Sequence, residues 1–443
     1  MRSVRDRLLP AGSFRRQSAT LLTGTALAQV VPLVTAPILT RLYSPSEYGA
    51  YAVFVAVALT ISVIASGRYE LAVVLPDSDD DARGLLLISL IVLVAGSILA
   101  TVICVVVLTV PAVSAHVANA TLFTFALPLA LIPMGAFQSL SYWVTRKERF
   151  SALATSRITA AVVVAAVSVV LGVLGWGAGG LTLGFVAGQI CAAGVLAYAT
   201  FADLRQAIRT SDRARLRRLA SSYREFPMVN APHALVDGVR DSGITALIAA
   251  LFGLTVNGLV SFATRMLRAP ATLMAAAIGP AFFKRSSALV QEGSNLRTFL
   301  RKTTQSTAVV GAPFYIAIAL FGPDIFALVF GEQWRLAGSY ARILSPWLFV
   351  VFVLGPVTSM PTVAGRLRMA FRIALVDTLL KVATLLVGWK LGGALLGIGL
   401  LSAEGTCVGL GLLAWYHRIA RSPRQLGIPD STAGTPELSR AEL

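Results

Sequence analysis

The sequence is poor in charge for its length. Of its 443 residues only 13% are charged, whereas 56% are hydrophobic and the mean hydropathy is +0.76. Soluble globular domains contain roughly 25% charged residues, so this composition excludes a chain that exposes most of its surface to water. It is typical of a protein whose apolar segments are shielded by lipid.

Acidic residues are especially scarce. The chain has 21 Asp and Glu against 38 Lys and Arg, which gives a formal net charge of +17. Such an excess would also suit nucleic-acid binding, but the basic residues are confined to short gaps between apolar runs. We therefore interpret them as a membrane topology signal and expect no nucleic-acid partner.

Reactive side chains are few as well. Cys104, Cys191 and Cys407 lie inside apolar runs without CxxC spacing, so we predict buried thiols rather than disulfides or metal ligands. The sequence has no nucleophile elbow and no glycine-rich phosphate loop. A membrane polysaccharide polymerase or ligase, the enzyme alternative, usually needs a sizeable outer loop, and the gaps here are short. We expect a protein that is not an enzyme and that needs no cofactor or metal.

About twelve apolar runs are long enough to cross a membrane, since a spanning helix needs about 20 residues. This pattern predicts an all-α integral membrane protein. The paired arginines before the first run resemble a twin-arginine signal peptide, but the run continues to Thr40, so we expect a retained first span. The predicted spans are 19–40, 48–67, 84–109, 117–142, 151–174, 179–202, 227–252, 255–283, 304–330, 338–363, 369–391 and 394–417.

Basic residues mark one side of these spans. They collect in alternate gaps, and the longest basic gap is 203–226. The positive-inside rule therefore predicts that these gaps and both termini lie on the cytoplasmic side of the membrane. We predict cytoplasmic tails at 1–18 and 419–443, and a basic linker at 203–226. This linker would join two six-helix lobes, 19–202 and 227–418.

A weak internal repeat supports the two lobes. When the sequence is shifted by 209 positions, Leu42 aligns with Leu251 and Gly49 with Gly258. The two copies follow the first and the seventh span, so both halves have the same orientation in the membrane. Parallel repeats related by an axis along the membrane normal are a transporter arrangement, with the substrate site between the halves.

Charged residues inside the spans of the second half are the strongest functional signal. A charge at the bilayer centre costs roughly 2.5–3.5 kcal/mol on insertion scales, yet Asp237, Arg240 and Asp241 share one stripe of the seventh span. These charges are either ion pairs between helices or the wall of a water-filled pathway. Later spans add Arg265, Arg268, Asp377, Lys381 and Glu404.

Arginine is the informative residue in this set, because its guanidinium stays charged and presents a fork that matches phosphate oxygens. We therefore predict that Arg240, Arg265 and Arg268 line a cavity for an anionic substrate. Weaker candidates for diphosphate or sugar contacts, which are alternatively ordinary structural groups, are Arg157, Gln29 and Gln138. The candidates for coupling to a proton or cation are Asp237, Asp241, Asp377, Lys381 and Glu404.

Two stretches of the sequence resemble a known family. Residues 39–89 contain T-R-L-Y-S-P-x-x-Y-G, then G-R-Y-E-L-A, then an acidic D-x-D-D-D-A loop, and residues 262–283 read FATRMLRAPATLMAAAIGPAFF. Both are similar to Wzx-type flippases of the multidrug/oligosaccharidyl-lipid/polysaccharide exporter superfamily. The predicted topology agrees with that family over nearly the whole chain.

The resemblance implies a flippase that moves polyprenyl-diphosphate-linked oligosaccharides from the cytoplasmic to the outer leaflet. It also implies alternating access of the two lobes during O-antigen, capsule or exopolysaccharide biosynthesis. The implied partners are H⁺ or Na⁺ as an antiported ion, membrane lipids and polysaccharide polymerase machinery. Arg265 lies at the matching position of the eighth span.

Two other members of the superfamily are alternatives. A multidrug exporter would share the fold, but an arginine-lined cavity would repel its usually cationic substrates. A peptidoglycan-precursor flippase is closer in chemistry but typically has two additional spans.

The predicted topology places Ser211, in the linker, and Thr255, after the seventh span, on opposite sides of the membrane. In a background without the three native cysteines, Ser211→Cys and Thr255→Cys should react with a membrane-impermeant maleimide from opposite sides of oriented vesicles. Labelling of both positions from the same side would contradict the two-lobe arrangement.

Overall fold

The chain folds into a bundle of α-helices. The computed structural model describes residues 11–109, 120–292 and 294–421, and no β-strand occurs within these ranges. The helices are α1 (Ala11–Leu42), α2 (Pro45–Ala65), α3 (Asp79–Thr109), α4 (Ala120–Arg146), α5 (Phe150–Val173), α6 (Ala178–Ala199), α7 (Phe201–Thr210), α8 (Arg213–Ser222), α9 (Ala231–Gln291), α10 (Leu296–Phe330), α11 (Arg335–Leu354), α12 (Met360–Val363), α13 (Leu367–Leu391) and α14 (Gly393–Ile419).

The predicted twelve spans correspond to these long helices. In the described part of the chain, ten helices are long and apolar enough to cross a membrane. One of them contains two spans, because α9 is broken at Gly253, where φ is 85° and ψ is 167°. Glycine adopts such positive φ values readily. The remaining span is α13, whose 25 residues include five charged side chains and which packs against α14.

Several helices extend beyond the predicted apolar runs. α3 begins at Asp79 rather than at residue 84, and α10 begins at Leu296 rather than at 304. The added turns are polar: the side chain of Asn295 accepts a hydrogen bond from the Thr298 amide (3.1 Å) and caps α10. Hydropathy therefore located the lipid-embedded part of each helix and missed its continuation into the interface.

The predicted tenth span, 338–363, extends beyond the observed span, which ends at Val357. α11 ends at Leu354 and is followed by a 3₁₀ turn, Gly355–Val357, and by the single turn of α12. Pro356 and Pro361 begin these two short elements. Proline lacks the amide proton that a continuous helix needs, so the helix is interrupted although the sequence remains apolar.

The two lobes meet where α2 crosses α9. A Cβ atom on Gly49 would lie 1.9 Å from the carbonyl oxygen of Leu254, and one on Gly258 would lie 1.7 Å from the carbonyl oxygen of Pro45. Pro45 and Leu254 are themselves related by the 209-position shift, so each copy of the repeat makes the same contact with the other. This reciprocity is the signature of a twofold relation, and it confirms the predicted pseudo-twofold axis between the lobes.

The turn before α2 places Gly49 at this crossing. The Glu47 amide donates to Ser44 Oγ (3.4 Å), and the Ser44 amide donates to Glu47 Oε2 (2.7 Å). This is a capping box, which satisfies the free amides at the start of α2. The hydroxyl of Tyr43 donates to the carbonyl of Ser168 on α5 (2.6 Å). The Y-S-P-S-E-Y-G sequence therefore sets where α2 begins and attaches it to its own lobe.

The two ends of the bundle differ in their connections. We call the end that contains α7, α8 and the end of α14 the basic end, and the opposite end, with turns such as 43–44 and 174–177, the short-turn end. At the basic end Arg146 binds Asp79 (3.2 Å) and Arg215 of α8 binds Asp81 (3.0 Å). The predicted linker 203–226 thus contains two helices, and the acidic loop holds one of them.

The glycine crossing leads to a stability prediction. Gly258→Ala should destabilise the protein by about 1–3 kcal/mol, because the added methyl group overlaps the backbone of α2. Gly399→Ala is the matched control, since a Cβ atom there meets open space. The measurement is the thermal denaturation midpoint of each purified variant. Equal midpoints for both variants would show that the crossing is not close.

Candidate functional site

A cavity of about 550 Å³ lies between the two lobes. One wall is α2, which contributes Tyr48, Tyr51 and a row of small or apolar residues down to Leu59. From Tyr48 to Leu59 the wall extends roughly 16 Å at the helical rise of 1.5 Å per residue. The other wall is formed by both arms of α9 together with α11, α13 and α14. The cavity therefore lies beside the glycine crossing, at the interface predicted to hold a substrate.

The three predicted arginines all line this cavity. Arg240 lies on the first arm of α9, and Arg265 and Arg268 lie one helical turn apart on the second arm. Arg265 donates a hydrogen bond to the Tyr48 hydroxyl across the cavity (3.1 Å). Arg265 and Arg268 are solvent-accessible although they belong to a membrane-embedded segment. The structure thus brings the arginines together around an internal, accessible space.

A tryptophan that the sequence reasoning missed lies beside two of the cationic groups. Trp347, on α11, lines the cavity. The guanidinium carbon of Arg268 is 5.8 Å from the centroid of its ring, and Lys381 Nζ is 5.3 Å from it. Both are cation–π distances. Tryptophan in membrane proteins is enriched at the interfaces, so its position in the middle of a span was the available signal.

A second charged group belongs to α13 and α14. Lys381 binds Asp377 one turn earlier on α13 (2.5 Å), and both residues line the cavity. Glu404 on α14 faces this pair, and both its carboxylate oxygens are buried. Two carboxylates therefore lie near a single ammonium group. The ion-pair interpretation holds for Asp377 and Lys381, yet the pair also borders the cavity.

The acids of the first arm of α9 are placed differently. Asp237 lies 3.2 Å from His233 and 3.4 Å from Arg240, and its side chain is 40% exposed. It is not among the residues described as lining the cavity. The side chain of Asp241 lies outside the described residues. Arg240 is thus the group through which the stripe of the seventh span reaches the cavity.

The three candidates of the first half lie outside the main cavity and make hydrogen bonds between helices. Gln29 Oε1 on α1 accepts from the Thr272 hydroxyl on α9 (2.8 Å), which joins the two lobes. Arg157 on α5 donates to the Thr25 hydroxyl (2.7 Å). Gln138 on α4 donates to a carboxylate oxygen of Glu70 (3.2 Å). The structure therefore gives each of them a protein partner.

Glu70 is the centre of a buried polar cluster at the basic end of the first lobe. It lies in the short helix Tyr69–Val74, is fully buried, and accepts hydrogen bonds from Ser66 (2.6 Å) and Gln138. Arg68 approaches it to 3.5 Å. Burial raises the pKa of the Glu70 carboxyl above its ordinary value, although Ser66 and Arg68 act in the opposite direction. The G-R-Y-E-L-A motif encodes this cluster.

Aromatic rings close the short-turn end of the cavity. The ring of Tyr48, from the first lobe, makes edge-to-face contacts with Phe262 and Trp334 of the second lobe. The distances between ring centroids are 5.4 Å and 5.8 Å. The indole of Trp334 also donates to the carbonyl of Thr40 (2.8 Å). These contacts bury the rings of Tyr48, Phe262 and Trp334 between the lobes.

The sequence matches a family profile described as "Polysaccharide biosynthesis protein" over residues 38–338. No curated protein matches it. The fold is similar to that of a multidrug resistance MATE family transporter of the MOP superfamily in an inward-facing conformation, with a TM-score of 0.64 and 15% identity over 92% of this chain and 96% of that chain. It is also similar to the lipid II flippase MurJ in an inward closed conformation, with a TM-score of 0.65 and 11% identity over 90% of both chains. At such identities the likeness shows the fold, which has twelve helices in two lobes.

Proposed function

This chain belongs to the polysaccharide biosynthesis protein family, and from that premise we propose that it flips polyprenyl-diphosphate-linked oligosaccharides across a bacterial inner membrane. The observation that carries the proposal is the meeting of Arg240, Arg265, Arg268 and Lys381 around one cavity between two lobes. A diphosphate would have to exchange its water for fixed positive charge in order to enter such a space, and this wall supplies that charge.

The electrostatics favour an anion over the cations that multidrug exporters usually carry. Two unit charges 4 Å apart interact by about 4 kcal/mol at an effective dielectric constant of 20. Several cations on one wall therefore attract a diphosphate by an amount comparable to its desolvation, and they repel a cationic drug by a similar amount. Carboxylates lie beside two of these cations: Lys381 binds Asp377 and Arg240 binds Asp237.

The size and the walls of the cavity suit the headgroup of a lipid-linked sugar. Ligand pockets commonly measure about 300–1,000 Å³, and this cavity is in that range. In our proposal the diphosphate binds the charged wall while the first sugars face α2. The polyprenyl tail stays in the bilayer, and the lobes separate at the aromatic contacts of Tyr48 to release the headgroup at the short-turn end.

We assign ion coupling to the group on α13 and α14. Asp377 and Glu404 lie near one another and near a single ammonium group, that of Lys381. One negative charge remains to be compensated when both carboxyl groups are ionised. A proton or a monovalent cation would supply that compensation, and the group borders the cavity in which the anion binds. Binding at one site would therefore alter the electrostatic potential at the other.

The anionic cavity is tested at Arg265. Arg265→Ala should reduce flipping about 10- to 100-fold, since a charge-assisted hydrogen bond is worth about 1.5–3 kcal/mol. Arg265→Lys should reduce flipping less, because lysine keeps the positive charge but lacks the forked guanidinium. The measurement is surface polysaccharide in cells that lack the native gene, with protein abundance in the same cells. Arg297→Ala, at an exposed position on α10, is the control. The proposal is contradicted if Arg240→Ala, Arg265→Ala and Arg268→Ala are all well expressed and all support a normal amount of surface polysaccharide.

Ion coupling is tested at Asp377. In proteoliposomes, Asp377→Asn should lose most of the stimulation of flipping by an imposed proton or sodium gradient, because the variant removes one of the two carboxylates. Asp324→Asn is the matched control, since Asp324 is an exposed carboxylate on α10 that binds Arg335, and neither residue is described as lining the cavity. If Asp377 serves only as an ion-pair partner, its variant will instead be poorly expressed while the surviving protein keeps its response to the gradient.

A further inference from the structure

Trp347 touches three other helices of the second lobe. From α11 its ring extends to Arg268 on α9 and to Lys381 on α13. The five-membered ring of its indole packs against Gly405 on α14, where a Cβ atom would lie 2.5 Å from Nε1, 2.6 Å from Cδ1 and 2.7 Å from Cε2. Only a residue without a side chain leaves room for the ring at that point. The ring is therefore held from behind while its π surface meets two cations.

The Trp347 ring offsets the repulsion between the like charges of Arg268 and Lys381. Two cationic side chains on one wall repel each other, and each has many rotamers, so binding an anion between them costs conformational entropy. An aromatic ring attracts both cations through its quadrupole, and the attraction grows when the groups are shielded from water. Asp377 holds Lys381 from the other side. The ring thus keeps both charges at the cavity surface before any ligand arrives.

We propose that Trp347 is a positioning residue that presents Arg268 and Lys381 as a pair, and that this pair binds the two phosphate groups of a diphosphate. We call these three residues the clamp. The proposal rests on the proposed function and deepens it, because it explains how the site distinguishes a diphosphate from a single phosphate. A single phosphate group needs only one of the cations. A diphosphate gains from both, provided that they are held near one another.

The test measures the binding of two simple probes to the purified full-length protein by calorimetry: inorganic pyrophosphate and inorganic phosphate. The wild type should bind pyrophosphate more tightly. Trp347→Leu should weaken pyrophosphate binding about two- to thirtyfold, which corresponds to cation–π energies of about 0.5–2 kcal/mol, and should change phosphate binding little. The ratio of the two affinities should therefore fall. Trp347→Phe, which keeps a weaker quadrupole, should lie between the two.

Two further variants separate positioning from packing. Gly405→Ala should displace the ring without removing it and should lower the ratio as Trp347→Leu does. Trp389→Leu removes a half-exposed tryptophan of α13 that is not described as lining the cavity, and it should leave both affinities unchanged. Denaturation midpoints accompany each measurement. If Trp347→Leu proves unstable, Trp347→Phe decides the outcome.

The outcomes distinguish this inference from the proposed function. If Arg265→Ala weakens pyrophosphate binding but neither Trp347 variant changes the ratio of affinities, the clamp is wrong and the anionic cavity stands. An equal loss of affinity for both probes would mean that Trp347 only supports the fold, which also overturns the clamp. If the wild type binds no pyrophosphate, the anionic cavity itself is contradicted and the clamp falls with it.

Discussion

The close crossing of α2 and α9 is the contact on which the rest of the structure depends. Because neither Gly49 nor Gly258 has a side chain, the two backbones touch, and small residues are what allow helices to approach closely in lipid. The side chain of Asn257 strengthens the crossing by donating to the Gly49 carbonyl (3.0 Å). The crossing joins the lobes near the short-turn end, and the cavity opens between the same two helices further along.

The charges of the second half follow from that geometry. A cation facing lipid would be costly, but Arg240, Arg265 and Arg268 face an accessible cavity between the lobes. Each group of charges also has nearby compensation, from a carboxylate, a tyrosine hydroxyl or the Trp347 ring. The opposite wall on α2 is apolar and aromatic. The charged side chains described as lining the cavity therefore all belong to the second lobe, and in the proposed mechanism they orient the headgroup towards it.

The motifs of the first half have structural explanations that their sequence alone does not reveal. The turn before α2 is a capping box, and Asp79 and Asp81 in the first turn of α3 bind Arg146 and Arg215. Glu70 belongs to a buried hydrogen-bonded cluster. These contacts hold the first lobe together at both ends. The charged contacts of the first lobe thus lie at its ends, and none of its residues described as lining the cavity is charged.

The sequence by itself determined the membrane class, the approximate spans, the two related halves and the three arginines of the cavity. These features depend on hydropathy, helical periodicity and repeated spacing, which are local properties of the chain. Only the tertiary structure decided that Trp347 lies beside Arg268 and Lys381, and that Gln29, Gln138 and Arg157 have protein partners. Contacts between helices depend on rotation, tilt and interruptions such as Gly253, because a small change in any of these alters which side chains meet across the bundle.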